Sequence, residues 1–266
     1  MRFCVLASGS KGNSTFVESG ATRILIDAGL SGKEIERRLA AIRVDAASLS
    51  AILVTHEHHD HIAGVGVLSR RYRLPVFLNQ ATLRAGGETL RQLAACTPFV
   101  TGTTFPLQDL SIHPFVVSHD AADPVGFRIA DGRHTLGYCT DTGKISQLMR
   151  HRLADCHGLI IESNHDPLLL KNGPYPEHLK QRVRSNVGHL PNREAADLVD
   201  TLRHAALRHV VLAHISETNN HPDLVWAAVR EAMPGADGRS ANGGPVFSLA
   251  WQERVGEMVS LADGAG

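Results

Sequence analysis

The stretch LVTHEHHDHIAG, residues 53–64, places four histidines and an aspartate within six consecutive positions. Neutral imidazole nitrogen and carboxylate oxygen are the donors a divalent transition metal takes, so this density points to metal binding. Along an extended backbone alternate side chains point the same way. That puts His56, His58 and Asp60 on one side, with Glu57 and His59 on the other, and a helix starting at His61 would swing that imidazole back to join them. A chain with 16 histidines in 266 residues will cluster some of them by chance. The pattern H-x-H-x-D-H at the end of a β-type run is more specific than that. A histidine-rich unstructured tract fits poorly, because AILV and IAGVGVL flank the segment.

The elements that must position these residues follow from six apolar runs, each ending in polar or metal-capable residues. They are RILIDAG (23–29), AILVTHEHHDH (51–61), IHPFVVSHD (112–120), HTLGYCTDTG (134–143), GLIIESNHD (158–166) and HVVLAHIS (209–216). Buried strands followed by functional loops bring distant positions to one rim of a sheet. Amphipathic helices are expected at 31–42, with a capping-box spacing from Ser31 to Glu34, and at 61–72 and 142–153. Two more, at 191–207 and 222–233, start near a proline suited to a first turn. Residues 98–117 and 123–139 read as consecutive strands, with Asp131-Gly132 as a turn.

Strand-rich and helix-rich stretches alternate in two similar halves, 1–135 and 136–262, read as one domain over 1–262. Two mixed sheets packed face to face with helices outside, an α/β four-layer arrangement, suit this order. Residues 235–244 are expected to be a mobile loop and 263–266 a disordered tail.

At 43% hydrophobic and 20% charged the composition is that of an ordinary globular chain. Lys plus Arg and Asp plus Glu balance at 27 each, so nucleic-acid binding would rest on local patches rather than on a global field. The four cysteines form no C-x-x-C pair, and Cys4 and Cys139 lie in apolar runs, as expected of reduced thiols in a cytoplasmic setting. No signal-like leader and no membrane-length apolar stretch is read, so a cytoplasmic protein is expected.

The order Asp27, H-x-H-x-D-H at 56–61, His119, Asp141 and His214 resembles the five-motif signature of the metallo-β-lactamase fold superfamily. LASGSKGNST, SHDAADPVGF, CTDTG, ESNHD, GHLPN and LAHISETNNHP resemble one branch of it, the YycJ/WalJ-type exonucleases. The resemblance implies an αββα sandwich, a dinuclear metal site and 5′-to-3′ exonuclease activity on DNA. It implies that His56, His58 and His119 hold one ion, that Asp60, His61 and His214 hold the other, and that Asp141 bridges them. Asp27 matches an outer aspartate that orients ligands. Such a centre, with ions about 3.5–4 Å apart, turns a bridging water into hydroxide at neutral pH. Oxygen and nitrogen donors without thiolate suit zinc, manganese or iron comparably.

Fold does not fix substrate. A thioester hydrolase of glyoxalase II type shares the metal set, and a metal-stabilised protein that binds DNA or a partner without turnover is the reading from another class. Basic residues favour a nuclease: Lys180, Arg182 and Arg184 in EHLKQRVRS, and Arg70, Arg71 and Arg73 in SRRYR, would hold phosphates unless they form only a solvated face. In GSKGNS (9–14), Ser10 and Asn13 are candidate phosphate contacts, although a plain hairpin loop explains the glycines too. Asn164 and His165 cap a strand and are candidate substrate contacts. His189, in VGHLPN, is a candidate general acid beside Asp60 and Asp141 as catalytic residues.

Overall fold

Strands covered on both faces read as unbroken apolar runs, and both sheets are built largely from such runs. The computed structural model describes residues 1–236 and 244–262. In chain order the strands are β1 (Arg2–Ala7), β2 (Ser14–Ser19), β3 (Thr22–Ile26), β4 (Ala51–Leu53), β5 (Pro75–Asn79) and β6 (Ala95–Phe99). Then come β7 (Phe105–Leu107), β8 (Leu110–Val116), β9 (Val125–Ala130), β10 (Thr135–Cys139), β11 (Gly158–Glu162), β12 (His209–Ala213), β13 (Val246–Leu249) and β14 (Val259–Ser260). They form two seven-stranded sheets, ordered β14-β1-β2-β3-β4-β5-β6 and β13-β12-β11-β10-β9-β8-β7.

Each sheet starts as an antiparallel meander and continues in parallel, from β3 through β6 in the first and from β10 through β13 in the second. The same order, antiparallel and then parallel, therefore recurs in the two sheets. The chain changes sheets between Phe99 and Phe105 rather than near 135, and β14 returns to the first sheet. Hairpin pairing is local, so the strand pattern of 98–139 did not say which sheet the meander opens.

The two sheets pack through Phe3, Val17, Ile26 and Leu53 on one side and Phe127, Ile129, Ile160 and Val211 on the other. On the outer faces, Ile35, Leu39 and Leu68 cover Leu25 and Ile52, while Leu198, Val199 and Val225 cover Leu159 and Leu212. The layers are therefore helix, sheet, sheet, helix. Ser31 caps the helix Gly32–Ala41 by accepting the Glu34 N–H at 3.3 Å, whereas the Glu34 carboxylate turns to Arg37 and Arg38 instead of closing a capping box.

The helix expected over 61–72 starts earlier and breaks into His59–Ile62 and Val65–Tyr72, with the Gly64 N–H donating across to the Ala28 carbonyl at 2.7 Å. The helix expected over 142–153 is shorter, Gln147–Leu153, and the one over 191–207 ends at Leu202. Most of the loop expected at 235–244 and the tail at 263–266 lie outside the described residues. Among the described residues no helix is long and apolar enough to cross a membrane.

One buried titration follows from the sheet. His209 opens β12 and its Nε2 lies 2.8 Å from Ser248 Oγ, and burial pushes its pKa from the ordinary 6.5 down to about 4. The unfolded chain takes up this proton below pH 6.5 and the folded chain does so only near 4, so stability falls as pH drops through that window. The expected loss is on the order of 2 kcal/mol after allowing for partial exposure. Urea melts from pH 7 to 4 should show this slope, and His209→Asn should flatten it; an equal slope in the variant refutes the assignment.

Candidate metal centre

Six strand ends converge at one edge of the sandwich. Asp27 follows β3, residues 56–61 follow β4, His119 follows β8, Asp141 follows β10, Glu162 ends β11 and His214 follows β12. Asp27, Asp141 and His214 all have left-handed backbones, with φ of 59°, 57° and 54°. Non-glycine residues avoid that region, and such strain gathers at functional sites.

The alternation of side chains along an extended segment is not what gathers the 56–61 ligands. β4 ends at Leu53, and a short helix begins at His59 with His58 at its N-cap. Asp60 and His61 therefore reach the site from a helical turn, not Asp60 from a strand. The loop after β3 grips that turn: the Ala28 N–H donates to the His61 carbonyl at 2.9 Å, and a Cβ on Gly29 would sit 1.6 Å from the Asp60 carbonyl oxygen. Only glycine allows that approach.

The donors form overlapping groups, and two of these are the sets that the resemblance implies. Donor atoms of His56, His58 and His119 lie within 4.8 Å of one another, as do those of Asp60, His61 and His214. Asp141 stands between them, 3.4 Å from His61 Nε2, 3.5 Å from His214 Nε2 and 4.0 Å from His119 Nε2.

A divalent ion fits this arrangement on three counts. First, His56 Nε2, His214 Nε2 and Asp141 Oδ2 are buried with no hydrogen-bond partner, a costly state unless a ligand takes them up. Second, the other nitrogen of each of these five imidazoles has an oxygen to donate to. His56 Nδ1 has Thr55 Oγ1 at 2.9 Å, His58 Nε2 the Asp120 carbonyl at 3.2 Å and His119 Nδ1 the Gly188 carbonyl at 3.2 Å. His61 Nδ1 has Asp27 at 2.7 Å, and His214 Nδ1 has Glu162 at 2.9 Å. Each ring thereby offers a lone pair to the centre.

Third, the carboxylates outweigh any cation present. Burial pushes the His61 imidazole down, but Asp141, Asp27 and Asp60 hold it up, to about 9. Burial opposes the charge on His214 too, and Asp141, Asp60 and Glu162 raise it well above the usual range. His56, which lacks such partners, is pushed far down by burial and by its neighbouring histidines. A cation belongs where these protons would otherwise sit.

Glu162 was missed in the sequence. It is fully buried and takes four donors: His189 Nδ1 at 2.8 Å, His214 Nδ1 at 2.9 Å, and the N–H groups of Thr142 and Leu190 at 3.0 Å. It does for His214 what Asp27 does for His61. The signal available was a glutamate ending an otherwise apolar strand, GLIIE.

Several expected substrate contacts stand behind the site instead. GSKGNS joins the antiparallel strands β1 and β2 as a hairpin loop. Its Asn13 is buried and its amide lies 3.2 Å from Asp60 Oδ2 and 3.0 Å from His61 Nε2, while Ser10 is exposed at the tip. Asn164 is buried and donates to the His214 carbonyl at 2.9 Å. His165 is buried against Pro191. The amides of Asn13 and Asn164 are thus spent on holding the loops that carry Asp60, His61 and His214.

Of the basic residues, Arg182 reaches the ligands: it pairs with Asp120 through Nε at 2.6 Å and Nη2 at 3.0 Å, beside His119. Lys180 donates to the Lys171 carbonyl, and Arg184 pairs with Glu177. Arg70 donates to the Gln92 carbonyl and Arg71 to Glu36. His189 is partly exposed, with ring centroids 5.2 Å from His119 and 5.1 Å from His214.

Known proteins resemble this chain in sequence and in fold. A family model described as beta-lactamase superfamily domain matches residues 22–215. Exodeoxyribonuclease YycJ of Bacillus anthracis is 37% identical over 235 residues, covering 88% of this chain and 89% of that protein. Exodeoxyribonuclease WalJ of Streptococcus pneumoniae is 37% identical over 240 residues, 89% of each chain. The solved metallo-β-lactamase fold protein YhfI from Bacillus subtilis superimposes with a TM-score of 0.73 at 19% identity, over 96% of this chain and 99% of that one. The chain therefore belongs to the β-lactamase superfamily, with the metallo-β-lactamase fold and in the branch of the YycJ and WalJ proteins.

Proposed function

We propose that this protein is a metal-dependent DNA exonuclease that degrades strands 5′ to 3′ in the cytoplasm, with two divalent ions, zinc, manganese or iron. The observation that carries the reading is two largely buried three-donor sets with one carboxylate, Asp141, between them. The 37% identity to two proteins named exodeoxyribonucleases supports DNA as the substrate. Burial raises the Cys4 and Cys156 thiols to about 12, in keeping with unreactive thiols of a reducing compartment.

His56, His58 and His119 would hold one ion, Asp60, His61 and His214 the second, and Asp141 would touch both. Bound there, the ions would supply an activated water and neutralise charge on the phosphoryl oxygens. Arg182 lies at the mouth with its guanidinium engaged by Asp120, where an arriving phosphate can share its paired N–H groups. His189 stands at the partly open edge between the two ligand sets, its Nδ1 proton fixed on Glu162. With Nδ1 donating to Glu162, a second proton on Nε2 is the one it would hand to the leaving oxygen.

The test is hydrolysis by protein reconstituted with zinc or manganese. Substrates are duplex DNA and matched RNA with blocked 5′ or 3′ ends, and a glutathione thioester. Loss of nucleotides from DNA with a free 5′ end, stopped by a 5′ block, is the expected result. Thioester turnover without DNA cleavage replaces the reading by a glyoxalase II-type hydrolase. DNA binding without turnover of any ester makes the protein a binding module.

A further inference from the structure

A cleft of about 350 Å³ opens between the loop that follows His214 and residues 250–254, with Trp251 in its wall. Ser8 fixes the indole-bearing backbone to the metal centre. Its N–H donates to the Trp251 carbonyl at 3.1 Å, and its Oγ accepts the His214 N–H at 2.7 Å. Gln252 ties the same segment to the hairpin loop, accepting the Lys11 N–H at 2.8 Å and donating to the Gly12 carbonyl at 3.0 Å. That loop carries Asn13, which contacts Asp60 and His61. One wall of the cleft thus follows His214 directly, and the other is tied through Ser8 and Gln252 to backbone beside the candidate ligands.

The chemistry of the cleft points to one kind of occupant. Ile215, Pro222, Ala250 and Trp251 form its apolar lining, with Glu217, His221 and Glu253 among the polar residues beside them. Its polar neighbours Asn220 and Gln252 already spend their amides on backbone groups. At the rim Lys11 lies 2.7 Å from Glu217 and 3.6 Å from Glu253, so its charge is matched locally. The Arg254 guanidinium sits 3.9 Å from the centroid of the Trp251 ring, an arrangement that steadies the indole. An apolar, charge-compensated slot with an aromatic wall suits a planar uncharged ring better than a phosphate, and the volume is that of a small-molecule pocket.

Resting on the nuclease reading above, we infer that Trp251 stacks a nucleobase of the strand whose phosphodiester lies at the metal centre. With the amides of Asn220 and Gln252 already committed, recognition is by stacking and is tolerant of sequence, because every base has a π face. That tolerance suits an exonuclease, which must accept each base in turn.

The chain has two tryptophans, so Trp226→Phe leaves Trp251 as the sole indole. This variant is titrated, without added metal, with a short phosphorothioate single-stranded DNA and with an abasic chain of equal length. Saturable quenching by the DNA and not by the abasic chain is expected. In steady-state assays with the reconstituted enzyme, Trp251→Ala should raise KM for DNA about tenfold, with a smaller effect on kcat. Trp251→Phe, which keeps a stacking face, should recover most of the loss. Equal quenching by both chains, or a parental KM for Trp251→Ala, overturns the inference and leaves the nuclease reading intact if the parent cleaves DNA. A parent that degrades no DNA overturns the nuclease reading, and this inference with it.

Discussion

Asp141→Asn should lower DNA hydrolysis by more than about a thousandfold while leaving the protein folded, a loss of about 4 kcal/mol of transition-state stabilisation. The carboxylate is 3% exposed and lies within 4.0 Å of nitrogens from both ligand sets. Its removal would take away the one carboxylate placed to touch both of the proposed ions. The fold should survive because the site is held by backbone contacts that Asp141 does not make, such as those of Asn13 and Ala28 to the turn at 60–61. Asparagine also tolerates the φ of 57° better than alanine would. His58→Ala should behave alike, since its donor atom completes the set with His56 and His119. The measurements are cleavage of end-labelled duplex, bound metal per chain and a thermal melt. Folded variants that degrade DNA at the parental rate would refute the mechanism.

The carboxylates behind the ligands should show the next largest effects. Glu162→Gln replaces an acceptor of four donors with an amide that turns an NH₂ toward some of them. Loss of such an orienting partner costs about 10–100-fold in metal affinity or activity. Asp27→Asn is the matched change on the other side, affecting His61 and the Thr55 hydroxyl. The two variants should separate when metal is added in excess. Asp27→Asn regains most of its activity, because its defect lies in holding an ion. Glu162→Gln stays about tenfold or more below the parent, because its carboxylate also orients His189. Equal recovery of the two would mean that His189 has no part in turnover.

The amino-acid order alone determined the dense ligand cluster at 56–61 and the apolar runs that become β3, β4, β8, β10, β11 and β12. These are local patterns, set by side-chain type and by periodicity within a few residues. The more distant His119, Asp141 and His214 were legible through the resemblance of their motifs, not through spacing. Tertiary packing decided the rest. It started the helix at His59 rather than His61, because the loop at 27–29 packs directly on that turn. It turned Asn13, Asn164 and His165 inward and made Glu162 the counterpart of Asp27. It also left Arg182, but neither Lys180 nor Arg184, beside the ligands. The reason is physical: whether a polar side chain meets solvent, a carbonyl or an imidazole depends on which strand ends lie side by side. That was decided when the meander after Phe99 began a second sheet instead of extending the first.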